Sequence, residues 1–593
     1  MKNRFFKKQF LLLPAVAALI GLSSCKKILD VQPENVLTGA QTYRNVFDAD
    51  AAVIGVYGKF MNLSKQYILL NELRADLMTV TNNSDQYLRQ LNNHTATTDN
   101  PYIDPTPFYE VILNCNDVMK NFDIMLADKK LKVDEYNQRY SDVASIRSFV
   151  YLQLGIHFGS VPYVTDPLAN VSDVRNEALY PKITFQQLLT QLIKTMENLP
   201  FKNIYPTGTS LVTTVDQYFT QKFFINKYVL LGDLYLWNGA YDNTSYTKAA
   251  TAYRTVISTE DNNSNINTKY NTYKINFPDV TISNNISVQY VRFRESDINA
   301  LIESNTEGWR SIFSRGQVNY DANFNYEWIW VLPFNRNFAP KNPLIDLFSN
   351  TSGSYLVKPS QLAIDNWNGQ VQQNGFPFDA RGRFTYKTIA GQPVIMKYLY
   401  YSQDGFSSVP VLNANGRSGD WFLYRAAGLI EHFAEAANRD GKYKLAYALM
   451  NGGIGPTYDD PSTTDKTNSM QTFLPPPYDF DARFGDNPSF RATYYKNRGL
   501  RERAYLRYAT VTNPTDSLRQ VEDIIMNEGA LELAYEGQRW SDLLRVALRR
   551  NDPSYVAKKV GDKLRKDGLG AEAAKAEARL STIDGLYLPF KWK

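Results

Sequence analysis

Apolar residues recur at helical spacing over much of the chain. Residues 53–60 place apolar side chains at positions i, i+3, i+4 and i+7, and the apolar residues of 108–122 keep to one stripe. Residues 184–187, which read Thr-Phe-Gln-Gln, form a capping box that begins a further helix, and Pro200 ends it. This periodicity predicts a mainly α-helical protein.

Two pairs of helices are predicted, one within residues 217–258 and one within residues 423–450. In the first pair, Gly232 lies three residues before Tyr235, and a Gly-Ala-Tyr turn at 239–241 joins the helices through a loop about five residues longer than the standard one. This arrangement resembles a tetratricopeptide repeat, in which small residues let two paired helices approach closely. The pairs therefore indicate a helical scaffold with degenerate repeats.

The periodicity fades between about 260 and 420, where Asn, Gly, Pro, Ser and aromatic residues dominate. That composition is typical of long loops with a few short strands, and such a stretch within an ordered protein is usually functional. Residues 452–500 form a second loop-rich segment, and helical periodicity returns at about 519–549 and 571–580. We expect a scaffold of helices that supports an irregular portion.

The cysteine and histidine content limits the chemistry. Only three His and two Cys are present, which excludes a zinc cluster, an iron–sulfur site and a disulfide framework, so any metal would need oxygen ligands. Cys115 lies on an apolar helical stripe, where a thiol is usually inert core packing rather than a reactive group. No cofactor is predicted.

The first residues have the features of an export signal. Residues 1–9 carry four positive charges, and residues 10–22 form an apolar run shorter than the ~20 residues that span a bilayer. The run ends in Leu-Ser-Ser before Cys25, which resembles the lipobox of bacterial lipoproteins. We expect cleavage after residue 24 and lipid attachment at Cys25. The alternative is a fortuitous cysteine near an ordinary signal site.

The residues after the anchor indicate the compartment. Lys26 and Lys27 follow Cys25, without the Asp that retains lipoproteins at the inner membrane of enteric bacteria, which favours the outer membrane. Two or three acyl chains would hold the protein there essentially permanently. Cleavage also removes four basic residues and lowers the net charge from +5 to +1, so the pI near 8.7 does not indicate nucleic-acid binding.

A longer pattern resembles a known family. Residues 528–545 read Glu-x-x-x-Glu-Leu-Ala-Tyr-Glu-Gly-Gln-Arg-Trp-x-Asp-Leu-x-Arg, which looks like the C-terminal signature of the SusD/RagB nutrient-capture lipoproteins of Bacteroidetes. The segments 25–30 and 147–162, and the pair 424–425 followed by 434–436, fit the same family. The resemblance therefore extends over the whole chain.

The resemblance implies a tetratricopeptide-like helical scaffold with an irregular, loop-rich, few-stranded ligand-binding portion. We divide the chain accordingly into a signal peptide (1–24), a lipid-anchored tether (25–45), an N-terminal helical region (46–260), a loop-rich ligand-binding portion (261–420) and a C-terminal region with further helices (421–593).

One departure from the family pattern concerns the step after the second helix pair. The family often has Arg-x-Arg-Ala there, whereas residues 451–453 of this chain are Asn-Gly-Gly. Residues 501–504, Arg-Glu-Arg-Ala, are the candidate for that step further along the chain. The departure leaves the path of residues 451–500 open.

The signature contains carboxylates that raise the question of catalysis. Glu528, Glu532 and Glu536 are spaced four apart, so on one helix they would share a face and form a charged network with Arg539. A glycosidase acid/base pair is the alternative, but residues on one helix face cannot flank a substrate bond from two sides. His432 lies between two glutamates on a predicted core helix, as a paired structural His would. The common catalytic motifs are absent from the sequence, so we predict no enzyme.

A glycan has apolar C–H faces and a hydroxyl periphery, so its site needs exposed aromatic rings beside amides or carboxylates. The first stretch with that mixture contains Asn82, Asn83, Asp85 and Tyr87 and continues to Tyr102. In the proteins that this chain resembles, the segment after the first helices lines the glycan site. A solvated connecting loop is the alternative.

A second stretch begins at Trp309 and Arg310, whose polar setting makes the indole the better exposed candidate. Tyr320 and Trp328 follow, and Trp328 belongs to an alternating run of aromatic residues that would share one strand face, which is more often buried than exposed. Trp367 lies in an Asp-Asn-Trp-Asn-Gly run, which is a third candidate but could equally be a turn or a weak calcium loop.

The resemblance implies a surface-exposed, lipid-anchored protein that captures oligosaccharide or polysaccharide. It would pass the glycan to a TonB-dependent outer-membrane barrel of the SusC kind. Capture of peptides, as in the RagB branch, remains open at this stage. So do a surface glycosidase and a pure interaction scaffold.

Overall fold

A computed structural model describes residues 42–215, 218–257, 275–276, 288–289, 309–314, 327–335, 338–400, 418–459, 470–482 and 499–592 of the chain. The predicted signal peptide, Cys25 and Tyr320 lie outside these residues.

Helices make up most of the described structure, as the periodicity predicts. The first group consists of α1 (Val46–Met61), α2 (Ser64–Ile68), α3 (Gln86–Asn92), α4 (Thr106–Ala127), α5 (Val133–Phe158), α6 (Val171–Val174), α7 (Phe185–Glu197), α8 (Lys227–Asn238) and α9 (Ser245–Val256). The middle group consists of α10 (Ser311–Ser314), α11 (Leu344–Phe348), α12 (Gln361–Asn368) and α13 (Ala380–Thr385). The last group consists of α14 (Ala426–Arg439), α15 (Tyr443–Met450), α16 (Ile454–Tyr458), α17 (Leu500–Arg503), α18 (Ser517–Glu532), α19 (Arg539–Arg550), α20 (Ser554–Lys566) and α21 (Gly570–Arg579).

The strands of the described residues are short and pair only two at a time. They are β1 (Met78–Val80), β2 (Val161–Pro162), β3 (Lys182–Ile183), β4 (Thr214–Val215), β5 (Tyr218–Phe219), β6 (Ile275–Asn276), β7 (Val288–Gln289), β8 (Trp328–Phe334), β9 (Val357–Pro359), β10 (Tyr386–Ile389), β11 (Gln392–Ile395) and β12 (Gly419–Arg425). The antiparallel pairs are β1–β9, β2–β3, β4–β5, β8–β12 and β10–β11, and β6–β7 is parallel. Several of these pairs lie in the predicted loop-rich portion.

Both predicted helix pairs form, α8 with α9 and α14 with α15. A Cβ on Gly232 of α8 would lie 2.4 Å from the ring of Tyr253 on α9, so no larger residue fits at this crossing. A Cβ on Gly239 would lie 2.2 Å from Tyr246 in the same way. The second pair, α14 and α15, packs its first helix against α9 and α18. The predicted capping box also forms, because Thr184 and Gln187 bond reciprocally at the start of α7.

Aromatic stacking joins the helical scaffold to the loop-rich portion. The Phe60 ring of α1 stacks on Trp330 of β8 at 5.5 Å and on Trp421 of β12 at 5.1 Å. The Trp330 indole N–H donates to the Phe223 carbonyl at 3.0 Å. The β8–β12 ladder is therefore core structure, and the expectation of a buried aromatic strand face is confirmed for Trp328 and Trp330.

The structure corrects the predicted helix at 519–549. Helix α18 ends at Glu532, and α19 begins only at Arg539. Between them Tyr535 has a φ of 71° and Gly537 a φ of 81°, left-handed values that an α-helix does not accommodate. A Cβ on Gly537 would lie 2.1 Å from the Tyr67 ring, so the turn is also tightly packed. Glu536 therefore lies in a turn rather than on the helix face of Glu528 and Glu532.

Within the described ranges, the helices are too short or too polar to cross a bilayer.

Candidate ligand-binding surface

The signature glutamates lie in a buried network of ion pairs. Arg425 donates from its guanidinium to Glu327 at 2.8 Å, to Glu532 at 2.8 Å and to Glu536 at 2.7 Å. Arg381 donates to Glu528 at 2.6 Å and to Glu532 at 2.7 Å. Burial alone would raise the pKa of the Glu532 carboxyl, but the surrounding arginines hold it well below its usual range. These glutamates are shielded from solvent and have a structural role.

The turn after α18 fixes the segment that leads into the amide-rich loop. The Glu72 carboxylate accepts the backbone N–H groups of Gly537 at 2.7 Å and Gln538 at 3.0 Å. Arg539 donates to both carboxylate oxygens of Asp76, at 2.6 and 2.7 Å, and not to Glu536 as the sequence pattern predicts. Asp76 lies two residues before β1, so the signature holds the base of the candidate loop.

The amide-rich loop begins at the end of β1, which pairs with β9. The Thr81 hydroxyl donates to the Tyr355 carbonyl at 2.5 Å, and the Asn83 amide donates to the Ser354 carbonyl at 3.0 Å. Arg89 of α3 donates to the Asn82 carbonyl at 3.0 Å. The loop backbone is thus held from both sides, and its amide side chains lie at a fixed surface.

Asp85 and Tyr102 form the centre of this surface. One carboxylate oxygen of Asp85 caps α3 by accepting the Leu88 N–H at 2.8 Å, and the other accepts the Tyr102 hydroxyl at 2.8 Å. The Lys65 ammonium lies 5.3 Å from the centre of the Tyr102 ring. Burial, together with the Asp85 carboxylate, raises the pKa of the Tyr102 hydroxyl, which therefore stays neutral.

The structure brings together the five residues predicted for this loop. Asn82, Asn83 and Asp85 are exposed, and Tyr87 and Tyr102 are partly exposed. The Asn100 amide donates to the Tyr87 carbonyl at 2.9 Å, which ties the start of α3 to the turn before Tyr102. Amide, carboxylate and phenol groups thus face solvent on one fixed loop. Such groups can bond hydroxyls, and the tyrosine rings can contact apolar C–H faces.

Comparison with known proteins agrees with the sequence pattern. The model of the SusD family matches residues 482–581. A SusD-like protein of Formosa agariphila is 21% identical over 540 residues, which cover 88% of this chain and 88% of that protein. These two findings support the resemblance of this chain to the SusD/RagB family.

Solved structures share the SusD-like fold. A SusD superfamily protein from Bacteroides vulgatus is 15% identical with a TM-score of 0.54, covering 91% of this chain and 96% of that one. The surface glycan-binding protein A from Bacteroides uniformis is 17% identical with a TM-score of 0.52, covering 84% and 87%. A laminarin-binding SusD-like protein is 15% identical with a TM-score of 0.50, covering 90% and 98%. At these identities the likeness shows the fold.

The other aromatic candidates in the described residues are buried. Trp309, predicted to be exposed, is only 1% exposed, because its ring stacks on Phe384 at 5.9 Å and the Arg503 guanidinium covers it at 4.8 Å. Arg310 is buried as well, over the Tyr400 ring at 5.2 Å. The polar sequence around Trp309 reflects buried partners rather than solvent, so the prediction of exposure is wrong.

Trp328 and Trp367 are also part of the core. The Trp328 indole N–H donates to the Ile312 carbonyl at 2.7 Å, which holds the ring inside the β8–β12 region. Trp367 lies in α12, and its N–H donates to the Leu531 carbonyl at 3.2 Å. The run around it is thus a helix end and not a free turn or calcium loop. In the described part of the chain, no cluster of three or more His, Cys, Asp or Glu could hold a metal ion.

Two sequence interpretations are confirmed at single residues. Cys115 is fully buried, and burial raises the pKa of its thiol to about 12, so it is an inert core residue. His432 is a buried, paired histidine, whose Nδ1 lies 2.9 Å from Asp233 on α8 rather than beside its neighbouring glutamates.

The candidate Arg-Glu-Arg-Ala step forms α17, and its Arg503 joins the buried network through Glu327 at 3.0 Å.

Sequence reasoning missed the residues that border the surface from elsewhere in the chain. Lys65 lies against Tyr102, and Gln66 donates to the Tyr102 and Asp104 carbonyls at 3.0 and 2.8 Å. Both precede the loop on α2, where they read as ordinary exposed helix positions. No local pattern distinguishes them, because their role depends on where the later turn folds back.

Proposed function

We propose that this chain is a cell-surface lipoprotein that captures an oligosaccharide or polysaccharide and passes it, chemically unchanged, to a SusC-like TonB-dependent outer-membrane transporter. The observation that carries the proposal is the hydrogen-bonded pair Asp85–Tyr102 at the centre of an exposed, amide-rich loop. Lipid attachment at Cys25 would hold the protein beside its transporter.

The chemistry of the loop supports a glycan ligand. Asn82 and Asn83 offer amide donors and acceptors for hydroxyl groups, and Asp85 offers a carboxylate acceptor. Tyr87 and Tyr102 offer ring faces for apolar C–H surfaces. Among the structures that share the fold, one is named a surface glycan-binding protein and another a laminarin-binding protein, which supports the same ligand class.

Weak binding suits this role. A free energy of binding of about −4 to −8 kcal/mol, equivalent to mM to μM affinity, suffices because tethering beside the transporter raises the effective concentration of the ligand. Tighter binding would slow release to the transporter. A surface built from a few exposed polar groups and partly exposed rings fits that range.

The test is calorimetric titration of the purified mature chain with a panel of soluble oligosaccharides and polysaccharides. Replacing Tyr87 with Ala, or Asp85 with Asn, should weaken binding of the best ligand at least about ten-fold, since each change removes a direct contact. Tyr443→Ala is the matched control, because Tyr443 is an exposed tyrosine (44%) on α15.

Three outcomes contradict the proposal. The first is absence of binding to every glycan in the panel while a peptide library yields a ligand. The second is catalytic release of reducing ends from a polysaccharide that is lost on replacing one carboxylate. The third is protection of the protein from added protease on intact cells, which would contradict exposure at the surface. Palmitate labelling that is lost in Cys25→Ala checks the anchor separately.

A further inference from the structure

Exposed tryptophan is scarce in this protein. All eight tryptophans lie in described residues, and seven of them are at most 3% exposed. These seven are Trp237, Trp309, Trp328, Trp330, Trp367, Trp421 and Trp540. Only Trp592 is partly exposed. If an indole takes part in ligand binding in this fold, it is Trp592.

Trp592 is held by neighbouring rings rather than left free. The Trp592 ring centre lies 4.7 Å from that of Tyr109 and 5.1 Å from that of Phe590, both in edge-to-face geometry. Phe590 packs in turn on Phe158 at 5.4 Å, and the backbone N–H of Leu588 donates to the His157 carbonyl at 2.8 Å. These contacts fix the indole against the end of α5 and the first turn of α4.

The buried Arg74 links the segment that carries Trp592 to the amide-rich loop. The Arg74 guanidinium donates to the Leu586 carbonyl at 2.7 Å, while the Arg74 carbonyl lies 2.8 Å from the His94 ring nitrogen of the loop. On the other side, Tyr109 follows Tyr102 by seven residues, part of them helical, which limits their Cα separation to roughly 20 Å. An extended oligosaccharide of several units is therefore long enough to reach from Tyr102 to Trp592.

Charged groups lie near the Phe590 ring, which contacts the indole. The Lys182 ammonium lies 4.8 Å from the centre of the Phe590 ring and 3.9 Å from the Glu177 carboxylate. The exposed pair of Tyr180 and Asp166 shares a hydrogen bond of 3.1 Å just before β3. An aromatic ring beside such groups has the composition that a sugar ring requires, namely an apolar face with hydroxyl partners around it.

We propose that Trp592 is a second stacking platform for the same glycan, which contacts a pyranose ring several units away from the one held at Asp85 and Tyr102. The inference rests on the proposed function, because it extends the glycan surface. Phe590 and Tyr109 are positioning residues that set the angle of the indole. The platform makes affinity depend on the length of the oligosaccharide.

The experiment compares the mature chain with Trp592→Ala and Trp592→Phe, using oligosaccharides of increasing length from the best ligand class. Short oligomers should bind all three proteins equally. Long oligomers should bind Trp592→Ala about three- to ten-fold more weakly, with partial recovery in Trp592→Phe, which keeps a ring. Far-UV circular dichroism checks that the variants are folded.

Tryptophan fluorescence gives a second readout that a purely structural role would not change. Because seven indoles are buried, iodide should quench mainly Trp592, and a long oligomer should protect it from iodide while a short one does not. Tyr443→Ala, with unaltered tryptophans, should behave like the parent protein.

The outcomes separate this inference from the proposed function. If Asp85→Asn weakens binding but Trp592→Ala binds all lengths like the parent, with no protection from iodide, the platform is refuted and glycan capture stands. If the parent binds no glycan, both fail. If Trp592→Ala keeps its glycan affinity but no longer co-purifies with a membrane partner, the indole is a protein contact and the platform is again refuted.

Discussion

The buried ion network makes a strong prediction about stability. Its members are Glu327, Asp379, Glu528, Glu532 and Glu536 on the acidic side and Arg381, Lys397, Arg425, Arg501 and Arg503 on the basic side. The charges of these ten residues balance. We choose Arg425→Met as the perturbation, because methionine keeps much of the side-chain length but removes the charge and its hydrogen bonds.

The structure sets the expected magnitude. The Arg425 guanidinium makes five hydrogen bonds of 2.7–3.0 Å, to Glu327, to Glu536 and to both the side chain and the carbonyl of Glu532. Its loss leaves an excess buried negative charge, and breaking a buried ion pair by removing one partner costs about 3–5 kcal/mol. The second change Glu536→Gln restores the charge balance, so the double variant should be less destabilised than the sum of the single variants, by about 1–3 kcal/mol.

The assay is urea unfolding followed by near-UV circular dichroism, which reports the packed aromatic core that surrounds the network. Arg565→Met is the matched control, because Arg565 pairs with Glu577 at the surface, where solvent screens the charges. Its urea midpoint should stay close to that of the parent. If Arg425→Met unfolds at the same midpoint as this control, or if the double variant shows the full sum of both losses, the network does not stabilise the fold as argued.

Three further predictions follow from single contacts. Burial alone would raise the pKa of Glu435, but Arg545 and Arg549 on α19 lower it to about 2. The lowered pKa stabilises the fold above the pKa of the unfolded chain, and this stabilisation should disappear as the pH falls from about 4.5 to 2. Acid unfolding of Glu435→Gln should lack that loss of stability. Gly232→Ala should lower the free energy of unfolding by about 1–3 kcal/mol in urea melts, since the new methyl group would overlap the Tyr253 ring. Trp309→Ala should destabilise the protein by about 3–5 kcal/mol in the same melts yet leave the calorimetric affinity for glycan unchanged, because its ring is buried.

The helical scaffold could be predicted because its signals are local. The spacing of apolar residues and the capping box at the start of α7 depend on neighbours within one or two helical turns. The role of Gly232 at the α8–α9 crossing could also be predicted from a short stretch of sequence. The exposure of the amide-rich loop could be predicted for a similar reason, since Asn82, Asn83 and Asp85 are close in sequence and polar.

What the sequence could not predict depends on distant partners. The break between α18 and α19 follows from the tight packing of Gly537 on Tyr67, which lies far away in the chain. The burial of Trp309 follows from Phe384 and Arg503, neither of which is near it in sequence. When only the sequence is considered, a polar neighbour such as Arg310 favours a prediction of surface exposure. In the structure its guanidinium packs on the buried Tyr400 ring.

The tie between Glu72 and the turn at Gly537 joins positions 465 residues apart. Contacts of such separation are slow to form, because a long stretch of chain must be closed first. The amide-rich loop follows Glu72 closely in the chain, so we expect it to gain its final geometry only after the late helices have docked. We therefore expect a chain interrupted before the signature turn to form early helices without the final geometry of this loop, so the loop should assemble only in the complete chain.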